Sequence, residues 1–205
     1  MTTATTIHTI THEDAHPRGF TQAALGWVPW LEPYPLDLLT ERHYAGLVDK
    51  GRASSDYFRL LARDPEILAA RTRTDKDIFY NTKEGLPRAE RELAATAASR
   101  ANGCVFCASV HSRAASHFSG RESDVQRVLD EGVGADLGER WNAIVAASVA
   151  VTQTPFALTV DHVRRLRDSG LDDLEISDVI HGASFFNWAN RLMLSLGRPT
   201  AAAEE

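Results

Sequence analysis

From Leu36 onward, apolar side chains recur every three to four residues along almost the whole chain. That is the spacing of one face of an α-helix. The pattern predicts helices over residues 39–48, 54–63 and 65–81. Asp64-Pro65 marks a helix restart, with Asp as cap and Pro in the first turn. Gly85-Leu86-Pro87 opens a further helix over 87–101, which ends at Asn102-Gly103, where Gly suits a left-handed position. Helices follow over 104–118, 122–130 and 138–153, the last being long and apolar and stopping before Pro155. Thr159 caps a helix over 160–168 that Gly170 closes, and Asp172 or Asp173 opens the last one, which runs to Leu196 and Gly197. No stretch alternates cleanly between turn signals, so no strand is predicted and the fold class is all-α.

The first 17 residues are rich in Thr and His, lack periodicity and read as a flexible arm. His8, His12 and His16 are spaced by four and would share a face if helical, but a polar tail is the preferred reading over a metal site there. Residues 20–35 carry Trp27, Trp30, Pro29, Pro33 and Pro35. Three prolines forbid a long helix, and the two Trp read as anchors onto the body or onto another subunit. The rest, 18–205, reads as a single helical domain with its core motif at 87–118.

Composition narrows the function. The chain has 205 residues, 28 acidic and 22 basic side chains and a net charge of −6. Nucleic acid and anionic membrane both call for a basic face, so neither is an expected partner. The basic residues are 19 Arg and 3 Lys. No secretory signal is apparent, and the longest apolar run, 143–151, is far below the roughly 20 residues of a membrane span. The expected location is cytoplasmic. Only two cysteines are present. In that compartment a close pair reads as redox-active or metal-binding.

That pair sits in the most informative segment, 92–111, ELAATAASRANGCVFCASVH. Cys104 and Cys107 form a CxxC, and His111 follows four residues later. At about 100° per residue, the three fall within about 60° of one helix face. They open their helix, where unpaired N–H groups and the positive dipole end favour a thiolate, the nucleophilic form of cysteine. If 87–101 and 104–118 pack as an antiparallel hairpin about Gly103, His111 faces position 95, within a turn of Glu92. Cys107 then lies about 10 Å along the axis from Glu92, at 1.5 Å per residue. Glu92 can therefore orient and charge His111 but reaches Cys107 only through His111 or water. The result is a carboxylate–imidazole–thiol relay.

Blander readings compete. CxxC with His can be half of a zinc site, but no second CxxC or HxxxH completes it; His117, His162 and His181 are the leftover candidates. Buried inert thiols are the other reading. A thioredoxin-type motif needs a βαβ context, which is absent. The joint spacing favours redox chemistry. On the last helix, Phe185, Phe186, Asn187, Trp188, Asn190 and Arg191 form a dense cluster. It reads as core or subunit interface in preference to a peroxide pocket, with Arg191 paired to a buried carboxylate. His162 and His181 read as surface or capping residues, and Arg164, Arg165 and Arg167 as partners of a helix C-terminus.

The spacing E-x11-C-x2-C-x3-H, carried by Glu92, Cys104, Cys107 and His111, resembles the signature of the AhpD-like alkylhydroperoxidase and carboxymuconolactone decarboxylase superfamily. The surrounding LPRAERELAATAASRANGCVFCASVHSRAA fits it, and residues 158–197 resemble the C-terminal half of its peroxidase-related subgroup. The resemblance spans about 36–198. It implies an AhpD-like helical fold, a homo-oligomer, and a thiol peroxidase acting on organic hydroperoxides. It also implies a peroxidatic Cys107, a resolving Cys104 that faces the partner, and a relay through Glu92 and His111. Phe106 stands where the name-giving hydroperoxidase has a further His, so the implied relay is shorter. The true decarboxylases of the superfamily lack the cysteine pair. No metal, haem or flavin motif is visible and no cofactor is expected. The expected partners are a hydroperoxide and a dithiol reductant, either a protein or a lipoyl-type donor. Two alternatives stand beside this reading. One is a decarboxylase- or lactonase-type enzyme with Glu92 and His111 as acid and base. The other is a redox-responsive binding protein without turnover.

Overall fold

A computed structural model describes residues 10, 11, 13, 16–81 and 83–201 of the chain; His8 and His12 of the predicted arm lie outside them. His16 lies inside, with Nδ1 3.0 Å from the Pro17 carbonyl.

Among the described residues the helices are α1 (Glu41–Leu47), α2 (Asp56–Leu61), α3 (Pro65–Tyr80), α4 (Arg88–Ala101), α5 (Val105–Ser119), α6 (Glu122–Asp130), α7 (Glu139–Thr152), α8 (Val160–Asp168) and α9 (Asp173–Leu196). The all-α class stands, and every predicted helix is present within about two residues. The capping chemistry explains the starts. Asp64 accepts from the Ile67 N–H at 3.1 Å ahead of Pro65, and Asp172 and Glu175 form a reciprocal capping box. His162 closes a similar box with Thr159, the capping role expected of it.

One expectation fails. Two strands, β1 (Gly26–Pro29) and β2 (Gly197–Thr200), pair antiparallel, with Gly26 opposite Thr200 and Pro29 opposite Gly197. Each strand is four residues long and holds a Gly and a Pro, GWVP and GRPT, so neither carries an alternation to read. Tertiary packing dictates the ribbon: a Cβ on Gly197 would lie 2.3 Å from Trp27 Cζ2, so only glycine lets the indole cross here. Trp27 anchors to the body, as one of the two readings had it, edge-on to Tyr57 at 5.4 Å.

The core explains why α4 lies at the centre. It packs against α5, α7 and α9, and every residue from Glu90 to Ser99 is buried. A helix buried on all sides needs small side chains where its neighbours cross. Ala94, Ala95, Ala97 and Ala98 supply them, and Gly182 of α9 approaches Ala94 closely. Three apolar clusters result. The largest lies between α4 and α7–α9, a second surrounds the cysteines, and a third joins α1, α2 and α3. No helix among the described residues is long and apolar enough to cross a membrane.

The loop before α4 is pinned from within. Arg91 is 4% exposed and donates to the carbonyls of Ile78 at 2.8 Å, Glu84 at 2.7 Å and Leu86, while pairing with Asp178 at 3.2 Å. Arg91→Met leaves three carbonyls without their donor and Asp178 with only the Leu86 N–H, at 2.8 Å. The expected cost is about 3–5 kcal/mol, the scale for breaking a buried pair, read as a lowered urea midpoint. A midpoint within about 1 kcal/mol of wild type would show that water replaces the guanidinium.

Candidate active site

The sequence Asn102-Gly103-Cys104 turns α4 into α5. Gly103 takes φ +78, the left-handed conformation that a side chain resists, and the Cys104 N–H returns to the Ser99 carbonyl at 2.9 Å. Cys104 is therefore the N-cap of α5, and Cys107 sits in its first turn. The helix periodicity stacks the two sulfurs 2.7 Å apart as free thiols, 1% and 5% exposed.

The same hairpin brings Glu92 of α4 against His111 of α5. Glu92 Oε2 meets His111 Nδ1 at 2.5 Å. A carboxylate only accepts, so Nδ1 carries the hydrogen and Nε2 is the ring's free nitrogen. The other carboxylate oxygen accepts from Arg88, one helical turn earlier, at 2.6 Å. Arg88 in turn lies over the rings of Tyr80 at 4.3 Å and Phe118 at 4.9 Å. Phe186 packs edge-on to the imidazole at 3.9 Å, and Phe79 lies 5.2 Å from it. The imidazole is thus fixed at one nitrogen and walled by two phenyl rings.

The two thiols are not equivalent. At the N-cap, Cys104 is lowered below the ordinary thiol value by hydrogen bonds from the Cys107 thiol, the Cys107 backbone N–H and the Asn190 amide. Cys107 is pushed well above it by burial and by the adjacent Cys104. The thiolate expected at the helix start therefore forms first on Cys104. Asn190, fully buried on α9, acts on both sulfurs in the lowering direction. It is fixed by Asn102 and Ser99, each at 3.0 Å.

Cys107, Glu92 and His111 all line one cavity of about 660 Å³; Cys104 does not line it. The opposite wall comes from β1, α2 and α3, with Trp27, Tyr57, Phe58 and Arg71. Sequence reasoning missed that wall, and it missed Arg88 as well. The i, i+4 spacing of Arg88 and Glu92 was a usable signal for the latter. For the Phe185 cluster, Phe185 and Phe186 lie in the core as expected, Phe186 also lines the cavity, and Trp188 is exposed. Arg191 is exposed and bonds to Asn187 and Thr154, not to a buried carboxylate. No group of three or more His, Cys, Asp and Glu among the described residues is placed to hold a metal ion.

Residues 65–150, which carry α3 to α6, most of α7, and Glu92, Cys104, Cys107 and His111, match the model of the carboxymuconolactone decarboxylase family. Curated proteins give no significant match. Among solved structures, the chain is similar to a peroxidase-related protein with an AhpD core from Ralstonia eutropha JMP134. The identity is 21%, the TM-score 0.67, and the coverage 80% of this chain and 90% of that one. A peroxidase-related protein from Silicibacter sp. TM1040 is similar at 22% identity and TM-score 0.66, covering 90% and 95%. The debrominase Bmp8 is similar at 15% identity and TM-score 0.65, covering 80% and 88%. At these identities the likeness is one of fold. The match over residues 65–150 and the likeness around it together give one result: the chain carries the pattern of the carboxymuconolactone decarboxylase family across its cysteine hairpin, within an AhpD-like helical fold.

Proposed function

We propose that the protein is a thiol-dependent peroxidase that reduces organic hydroperoxides through a Cys104/Cys107 dithiol–disulfide cycle. The observation that carries the reading is the seating of Cys107 in the same cavity as the Glu92–His111 pair, with a second sulfur 2.7 Å away. Cys107 gives up its proton to His111 Nε2 or across the short contact to Cys104. Its thiolate then attacks the O–O bond: an S–O bond forms, the O–O bond breaks, and the alkoxide leaves and takes the proton back from whichever group received it. Cys107 is oxidised to a sulfenic acid and the peroxide is reduced to an alcohol. Cys104 displaces the sulfenic oxygen as water to close the disulfide. An external dithiol restores both thiols by exchange and is itself oxidised.

Mild hydroperoxide is expected to convert the reduced chain into a form lighter by two hydrogens, with the loss mapped to the peptide holding both cysteines. Turnover should then follow on adding a dithiol such as dihydrolipoamide. Stoichiometric zinc on the thiols, or catalysis toward a lactone or dienol acid that survives loss of both cysteines, would overturn the reading. Self-association and a location in the cytoplasm remain part of the proposal; light scattering at micromolar concentration tests the first.

A second reading draws on the similarity to a debrominase and on the aromatic lining of the cavity. The same sulfurs can remove halogen from a flat aromatic substrate. Two electrons leave the thiols as the disulfide forms, halide departs and a proton takes its place. Halide release without hydroperoxide turnover would favour it.

A further inference from the structure

Four buried side-chain donor atoms have no hydrogen-bond partner among the described residues: Trp27 Nε1, Tyr57 Oη, Arg59 Nε and Arg71 Nε. Three of the four belong to residues that line the cavity holding Cys107. Two of those residues are more than nine-tenths buried: Tyr57 is 8% exposed and Arg71 9%. The indole and guanidinium N–H groups can only donate. Burial pushes the Tyr57 hydroxyl up to about 12, so the phenol keeps its proton and donates as well across the neutral range. Unpartnered buried donors are few in native proteins, and each calls for a reason. Three on one cavity wall share a single reason, an acceptor that the bound molecule brings.

Charge says which kind of acceptor. Asp75 Oδ2 is shared between Arg71 at 3.3 Å and Arg52 at 3.4 Å, so one carboxylate answers two guanidinium groups. The Arg71 guanidinium carbon lies over the rings of Phe58 and Phe185, at 5.4 and 5.3 Å, contacts that do not use its Nε–H. The surplus is a single positive charge beside three donors. A carboxylate has one negative charge and about four lone-pair sites, which fits both counts. Phe79, Phe106, Phe186 and Met193 give the lining an apolar stretch, and its other charges are already paired, Asp56 with Arg59 and Glu92 with Arg88. A volume of about 660 Å³ suits an organic body far larger than hydrogen peroxide.

Resting on the peroxidase reading, we propose that the substrate is a carboxylate-bearing organic hydroperoxide. Its carboxylate is received by Trp27 Nε1, Tyr57 Oη and Arg71 Nε, and its O–O bond faces Cys107. A neutral hydroperoxide would leave the three donors without a charged acceptor, so they act as specificity residues; Arg71 also favours the Cys107 thiolate through its charge.

The test needs no turnover. Octanoate and octanamide differ in charge and not in length, and neither oxidises a thiol. Calorimetry on the reduced full chain should show octanoate bound at least about tenfold more tightly than octanamide, the usual worth of a charge-assisted hydrogen bond. Tyr57→Phe should cut octanoate affinity about tenfold, leave octanamide unchanged, and keep or raise the melting temperature, since it deletes a buried orphan. Arg71→Lys keeps the charge, removes Nε and should weaken octanoate in the same way. Equal binding of the two probes, no binding of either, or a Tyr57→Phe protein that loses both probes together with thermal stability would overturn the proposal. If octanoate binds as expected while hydroperoxides are not turned over, the carboxylate subsite stands and the peroxidase reading falls.

Discussion

Replacing Cys107 with serine is expected to abolish hydroperoxide reduction at every pH, with rates falling to the background of the free dithiol. Serine cannot accept the two electrons' worth of oxidation that the sulfur takes up. Cys104→Ser should behave differently: one equivalent of peroxide is consumed, no disulfide forms, and a sulfenic acid remains for a small thiol or dimedone to trap. The structure makes this a real contest, because Cys104 ionises the more readily and Cys107 alone of the two lines the cavity. If access decides, Cys107 is the attacking sulfur. A single oxidation that survives in Cys107→Ser and vanishes in Cys104→Ser would show that ionisation decides instead and that the two roles are exchanged.

The second large effect belongs to the pair behind the sulfur. His111→Ala should lower the rate of peroxide consumption at neutral pH by about 10²–10⁴-fold, the scale of a positioned acid or base. Glu92→Gln should fall toward the lower end, since the amide can still hold Nδ1–H. The sign of the pH dependence follows from Cys107, whose buried thiol is raised well above its ordinary value. Below that value the unaided thiolate grows about tenfold per pH unit, so the deficit of either variant should shrink as pH rises. Stopped-flow peroxide consumption and iodoacetamide alkylation against pH measure both. An alkylation profile for Glu92→Gln that overlays wild type would reduce Glu92 to a structural partner of Arg88.

The hairpin was legible because its information is local. Gly103 between two helical patterns implies a reversal, and the spacing from Glu92 to His111 then implies their meeting, found at 2.5 Å. The opposite wall was not legible. Trp27, Tyr57 and Arg71 come from three separate elements; Trp27 is marked only as an anchor, and nothing local marks the other two. Tyr57 and Arg71 read as ordinary residues of an amphipathic helix until tertiary packing buries them. The order of ionisation of the two thiols was hidden for a similar reason. Sequence placed both at a helix start, where the dipole favours either. Burial of Cys107, and a hydrogen bond between the sulfurs that favours the thiolate of Cys104, separate them. Arg88 is the residue that sequence reasoning should have found, one turn before a carboxylate already singled out.

The ribbon that ties Gly26–Pro29 to Gly197–Thr200 also sets an order of assembly. The α4–α5 hairpin closes over a short loop and can form as soon as its own residues are free, whereas the ribbon pairs the most sequence-distant elements of the fold. Trp27 settles only when Gly197 arrives to make room for its ring. Until the ribbon pairs, the wall that carries Trp27 is unfinished, and the cavity beside Cys107 takes its shape only with the last elements of the fold.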